Sequence, residues 1–103
     1  MRASIAGWGT AVPEQRLTNA DLEHRVDTSD EWIVERTGIR ERRIAAPSET
    51  TASLAVEAGT AAIKQAGITP EDVGLLIIAT ATPEQPIPNT GAFVGDALGL
   101  RCG

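Results

Sequence analysis

The run Val73-Gly74-Leu75-Leu76-Ile77-Ile78-Ala79-Thr80 is continuous, apolar and uncharged. It has the length of a strand and is far too short to span a membrane as a helix. An apolar strand without alternation must be covered on both faces, the condition of a strand in a parallel sheet. Such a sheet needs a crossover, and the residues just upstream supply one. Thr50 or Thr51 can cap a helix there and Gly67 can end it. Between them Leu54, Ala55, Val56, Ala58, Ala61, Ala62, Ile63 and Ala66 include several at three- and four-residue spacings. Most are alanines, so this helix is expected to pack closely on another element with little side-chain bulk between. Gly59 weakens it slightly. A helix feeding an all-apolar strand places the chain in the α/β class.

The remaining segments fit around that pair. Ser4 to Val12 reads as a strand entering a turn at Pro13. Gly7 and Gly9 begin a G-x-G pattern, but Val12 stands where a dinucleotide-binding loop needs its third glycine. These small residues are better explained as letting another backbone come close. Thr18 to Val26 predicts a short helix capped by Thr18 or Asn19, with Asp21 or Glu23 near its positive end. Ile39 to Ala45 is an irregular extended segment, and Pro47-Ser48 a loop. Thr69-Pro70-Glu71-Asp72 is a connector. Pro83, Pro86 and Pro88 stiffen the loop after the apolar run and forbid a central strand there. A last helix is expected within Pro88 to Leu100, capped by Asn89 or Thr90, although Gly91, Gly95 and Gly99 make it intrinsically poor.

A chain of 103 residues has room for one small domain, and no repeat or linker divides it. Its net charge of −5 argues against a nucleic-acid binder. Arg36, Arg40, Arg42 and Arg43 nevertheless cluster, either as a solvated face or to meet a phosphate or an acidic partner. The single cysteine, Cys102, permits no internal disulfide. With no membrane-spanning run and no secretory pattern, a soluble cytoplasmic protein is expected. His24, the one histidine, has no carboxylate, cysteine or second histidine at ligand spacing, so it predicts no metal and no catalytic role.

Asp27 to Arg43 is the most distinctive stretch: D-T-S-D-E-W-I-V-E-R-T-G-I-R-E-R-R. Thr28 and Glu31 have the spacing of a capping box, and Gly38 sits where a helix would end. Trp32 and Arg36 lie four apart, one above the other on one face. An aromatic ring beside a guanidinium is a platform for a purine and its phosphates. From the residues alone the commoner reading of such a pair is a half-buried tryptophan covered by an arginine stem.

This stretch closely resembles the start of the β-ketoacyl-acyl carrier protein synthase III family, of the thiolase superfamily. The resemblance extends to Gly7-x-Gly9-x-x-x-Pro13-Glu14, Leu17-Thr18-Asn19-Ala20-Asp21-Leu22-Glu23, Glu49-Thr50-Thr51, Ala79-Thr80-x-Thr82-Pro83 and Pro88-x-Thr90. It therefore covers nearly the whole chain in order. Trp8 departs from it, being bulkier than the family's small polar residue between the two glycines. Gly91 and Gly95 also differ from the family's helix formers.

The resemblance implies a layered αβαβα fold of two related halves, of which residues 1–103 are the N-terminal portion. It implies an acyltransferase that condenses acyl-coenzyme A with malonyl-acyl carrier protein, works as a homodimer and needs no cofactor, the coenzyme A thioester being a substrate. Thr28, Trp32 and Arg36 match the residues that hold the nucleotide end of coenzyme A. Ile87 matches the position that reaches into the partner's acyl pocket. The family's catalytic cysteine, histidine and asparagine fall beyond this chain. Cys102 precedes the next buried strand in that pattern and has no helix after it to lower its pKa, so no catalytic residue is expected here. Two alternatives stay open: a relative that primes polyketide chains, and a non-enzymatic truncated product or interaction module.

Overall fold

The computed structural model describes residues 1–101, so Cys102 lies outside the described residues. The elements in order are β1 (Gln15–Thr18), α1 (Asn19–Glu23), α2 (Asp30–Thr37), β2 (Glu41–Ile44), α3 (Thr51–Ala66), a 3-10 turn at Pro70–Asp72 and α4 (Thr90–Leu98). They fall into two compact units. One is Val12–Ser48, and the other joins Met1–Ala11 to the chain from Glu49 onward.

In the unit Val12–Ser48, β1 and β2 pair antiparallel, with Gln15 opposite Ile44 and Thr18 opposite Glu41. The segment expected to be irregular is thus partly a strand, and its partner precedes the first helix. Thr18 ends β1 and caps α1. Its hydroxyl accepts the Asp21 N–H at 3.2 Å, and the Asp21 carboxylate accepts the Thr18 N–H at 2.8 Å. These bonds favour the carboxylate, and the pKa of Asp21 falls below its ordinary value, chiefly through the Thr18 backbone N–H. Next to this cap sits Asn19, only 1% exposed. Its amide donates to Asp30 Oδ1 and to the Ile39 carbonyl, both at 2.8 Å, and accepts from Arg42 at 3.1 Å. One side chain thereby ties α1 to the start of α2 and to β2. Ile33, on α2, supplies the buried apolar contact.

In the other unit, Thr50 caps α3 through a reciprocal pair with Ser53 and Gly67 ends it, as the sequence predicts. Asn89 likewise caps α4 by accepting the Ala92 N–H at 3.0 Å. The alanine stripe of α3 meets the segment around Gly7. A β-carbon on Gly7 would stand 2.6 Å from the Ala62 carbonyl oxygen, closer than packed atoms tolerate. The Trp8 N–H donates to Gln65 Oε1 at 2.6 Å and fixes the segment along the helix.

Neither Ser4 to Val12 nor Val73 to Thr80 forms the strand expected of it. A strand exists by its ladder, and among the described residues the only ladder is β1–β2. Val73 to Thr80 still shows the alternating cover of an extended chain. Leu76 and Ile78 are partly covered, whereas Leu75 and Ile77 are 67% and 78% exposed. The covered side chains lie along α4, where a β-carbon on Gly95 would be 3.7 Å from Leu76. The glycines that make α4 a poor helix leave the room that this contact uses.

Candidate functional site

The short helix α2 and the residues leading into it carry three of the four residues predicted to bind a ligand. Its cap is Ser29, whose hydroxyl accepts the Trp32 N–H at 3.2 Å. This corrects the expected Thr28–Glu31 capping box by one residue: Ser29 has the extended backbone a cap needs, and its oxygen reaches the third helical N–H. Thr28 is thereby free of capping duty. Its Oγ1 is buried and has no hydrogen-bond partner among the described residues.

Gly38 ends α2 with φ 70°, so the helix stays short, and it presents Trp32 and Arg36 on one face. The Arg36 guanidinium carbon lies 4.8 Å from the centre of the Trp32 ring, within cation–π range. Trp32 remains 53% exposed, so the guanidinium does not bury it. Asp27, Thr28, Ser29 and Trp32 line an open hollow of about 340 Å³. The structure thus brings Thr28, Trp32 and Arg36 together on one exposed feature.

The arginine cluster does not act as one patch. Arg42 is spent on Asn19, and Arg43 donates to the Pro13 carbonyl at 2.7 Å. Arg36 and Arg40 stay exposed.

Ile87, the fourth predicted residue, belongs to the other unit. It is 85% exposed on the proline-bounded loop between the apolar run and α4, and its peptide bond to Pro88 is cis. Its carbonyl accepts from Gln85 Nε2 at 3.0 Å. At the base of the same loop, Glu84 escaped sequence reasoning. Glu84 Oε1 accepts the Ala52 N–H and Oε2 accepts from Thr90 Oγ1 at 3.3 Å. The Ala52 N–H is the main reason this carboxyl titrates below its ordinary value. The one local signal was an acidic residue a few positions before a helix start. Its partner on α3 lies 32 residues away, beyond what spacing can reveal.

His24 is exposed at the end of α1. Among the described residues no three His, Cys, Asp or Glu side chains converge to hold a metal. No described helix is long and apolar enough to cross a membrane.

No family model matches the chain. It is 60% identical over 97 residues to the β-ketoacyl-[acyl-carrier-protein] synthase III of Symbiobacterium thermophilum, covering 94% of this chain and 29% of that protein. Among solved structures, it superposes on 3-oxoacyl-[acyl-carrier-protein] synthase III from Aquifex aeolicus with a TM-score of 0.87 and 46% identity. That match covers 94% of this chain and 31% of the other. It superposes on the priming β-ketosynthase of a polyketide biosynthetic pathway with a TM-score of 0.90 and 31% identity, covering 100% of this chain and 33% of that one. The chain therefore spans about a third of the length of the proteins it matches, and its architecture is part of a thiolase-like α/β fold.

Proposed function

On the premise that this chain resembles β-ketoacyl-[acyl-carrier-protein] synthase III along nearly its whole length, we propose that it is the coenzyme A-binding N-terminal part of an acyltransferase that starts fatty-acid chains. The observation that carries this reading is the α2 feature: an exposed tryptophan under a guanidinium, beside a buried hydroxyl without a partner. A folded protein rarely leaves such a hydroxyl unsatisfied, because doing so costs about 1–3 kcal/mol. Thr28 lines the hollow beside Trp32, and a small turn of its side chain would offer the hydroxyl to a bound nucleotide. Its adenine stacks on the free face of Trp32, Arg36 meets its phosphates, and Thr28 supplies a hydrogen bond.

The chemistry then follows from residues outside this chain. A cysteine thiolate attacks the thioester carbonyl of acyl-coenzyme A, and coenzyme A leaves as the thiol. Malonyl-acyl carrier protein loses carbon dioxide, and the carbanion so formed attacks the acyl-cysteine carbonyl. The cysteine departs and 3-ketoacyl-acyl carrier protein is released. Splitting the reaction at the acyl-enzyme replaces one difficult step by two easier ones. Histidine and asparagine stabilise the charge developing on the thioester oxygen. The partners are acyl-coenzyme A, acyl carrier protein and a second copy of the enzyme. The exposure of Ile87 on a stiff loop supports a role in that second copy's acyl pocket.

A Trp32→Ala variant of the full-length enzyme tests the reading. Base–aromatic stacking is worth roughly 1–3 kcal/mol, so half-saturation by acyl-coenzyme A should rise about tenfold. The rate of cysteine acylation at saturation should barely change. Burst kinetics separate the two quantities, and unchanged saturation would make Trp32 a packing residue.

The similarity to a priming ketosynthase favours a second reading, in which the same acyl transfer begins a polyketide. Competition among starter acyl-coenzyme A substrates distinguishes the two.

A further inference from the structure

We propose that Glu84 is the positioning residue of the Ile87 loop: its carboxylate staples the loop's base to the first turns of α3 and α4, and so sets where the isoleucine stands. The inference rests on the acyl-pocket reading of Ile87, and it adds the device that makes that pocket wall rigid.

The geometry is specific. The two carboxylate oxygens of Glu84 face different helices. Oε1 takes the N–H of Ala52, one of the α3 donors that no helical carbonyl can reach. Oε2 takes the hydroxyl of Thr90, the first residue of α4, which is only 3% exposed. Both helix starts favour a negative charge, so the carboxylate suits them in a way that a neutral side chain does not. A neighbouring bond completes the anchorage, with Thr51 Oγ1 donating to the Thr82 carbonyl at 2.7 Å.

Beyond this anchor the loop has no room to slacken. Pro86 and Pro88 fix their own φ angles and restrict the residues before them, and Gln85 holds the Ile87 carbonyl. The loop is stiff between Glu84 and α4, so the position of Glu84 is transmitted to Ile87 three residues later. Ile87 is 85% exposed, so packing within its own unit does not hold it in place. The staple does.

The test uses four variants of the full-length enzyme: Glu84→Ala, Glu84→Gln, Thr90→Val and Ile87→Ala. Each is read by the ratio of kcat/KM for a long or branched acyl-coenzyme A to that for acetyl-coenzyme A, and by amide exchange across residues 82–88. General destabilisation lowers activity on all substrates together and leaves the ratio alone. Misplacing a pocket wall by about one methylene moves such a ratio roughly tenfold. Glu84→Ala should move it by that order, in the direction of Ile87→Ala, and should speed exchange in the loop. Glu84→Gln keeps an acceptor for Ala52 and a polar atom for Thr90 but lacks the charge, and should bring both readouts most of the way back. Should Glu84→Ala fail to fold, Thr90→Val removes half of the staple and should shift the ratio less, in the same direction. If Ile87→Ala shifts the ratio while Glu84→Ala and Thr90→Val do not, the staple is overturned and the pocket reading stands. If Ile87→Ala leaves the ratio unchanged, the pocket reading falls, and loop exchange alone decides. Faster exchange in Glu84→Ala that Glu84→Gln reverses supports the staple, and unaltered exchange overturns it.

Discussion

Thr28 and Asn19 show how differently two small polar side chains are used within one unit. Asn19 is fully engaged: both ends of its amide find partners, and it is buried because they do. Thr28 has a buried hydroxyl and no partner among the described residues. Removing an unsatisfied group should not cost stability. Thr28→Val is therefore expected to melt at the same temperature as the parent enzyme or slightly higher, while binding acyl-coenzyme A less tightly. A melting scan beside a saturation curve checks both halves. A lower melting temperature would mean that the hydroxyl serves the fold and not the ligand. The pairing of Trp32 with Arg36 was legible at this scale, because a separation of four residues on a helix is a spatial statement. The role of Asn19 was not. Arg42 lies 23 residues away, and nothing local distinguishes a hub from a cap.

At the scale of elements, what local chemistry decides was readable and what pairing decides was not. Thr50, Asn89, Gly38 and Gly67 begin or end helices where their residue types say they should, because a cap finds its partner within three or four positions. The β1–β2 ladder joins short strands on either side of two helices, and neither strand alternates clearly enough to announce itself. The alanine stripe of α3 did announce close packing. Gly7→Ala tests that contact: a methyl 2.6 Å from the Ala62 carbonyl oxygen can be relieved only by moving backbone. The expected cost is about 1–3 kcal/mol in denaturant unfolding of the full-length enzyme, and an unchanged midpoint would show that the segment can lift away freely. The capping carboxylates make a different prediction. Asp21, Asp72 and Glu84 all titrate below their ordinary values, mainly through backbone N–H groups of Thr18, Thr69 and Ala52. A depressed folded pKa means that the stabilisation is complete above the ordinary carboxylate pKa. It is lost as pH falls through the lowered value. The amides of Thr18, Thr69 and Ala52 should therefore shift with midpoints below 3.8, 3.8 and 4.5 respectively in an NMR pH titration. Midpoints at or above those values would remove the hydrogen bonds as the cause.

Across the whole molecule, the apolar run that places the chain in the α/β class is also the part least satisfied within it. Val73 to Thr80 has one side against α4, and its other side exposes Leu75 and Ile77. Among the described residues no backbone hydrogen bond joins 74–80 to a neighbouring strand. A flat apolar edge of this kind is a template for pairing with another chain. Its composition anticipated a sheet covered on both faces, and no such sheet is present among the described residues to cover it. The 103 residues expressed alone should therefore self-associate and show no condensation of acyl-coenzyme A with malonyl-acyl carrier protein. Sedimentation velocity over a range of concentrations reads the first expectation, and product formation above background would contradict the second. Ile77→Lys separates edge pairing from general instability. A charge on the exposed face should oppose pairing and raise the monomer fraction, since lysine is a common device for blunting exposed strands. A substitution that leaves association unchanged would place the sticky surface elsewhere on the chain.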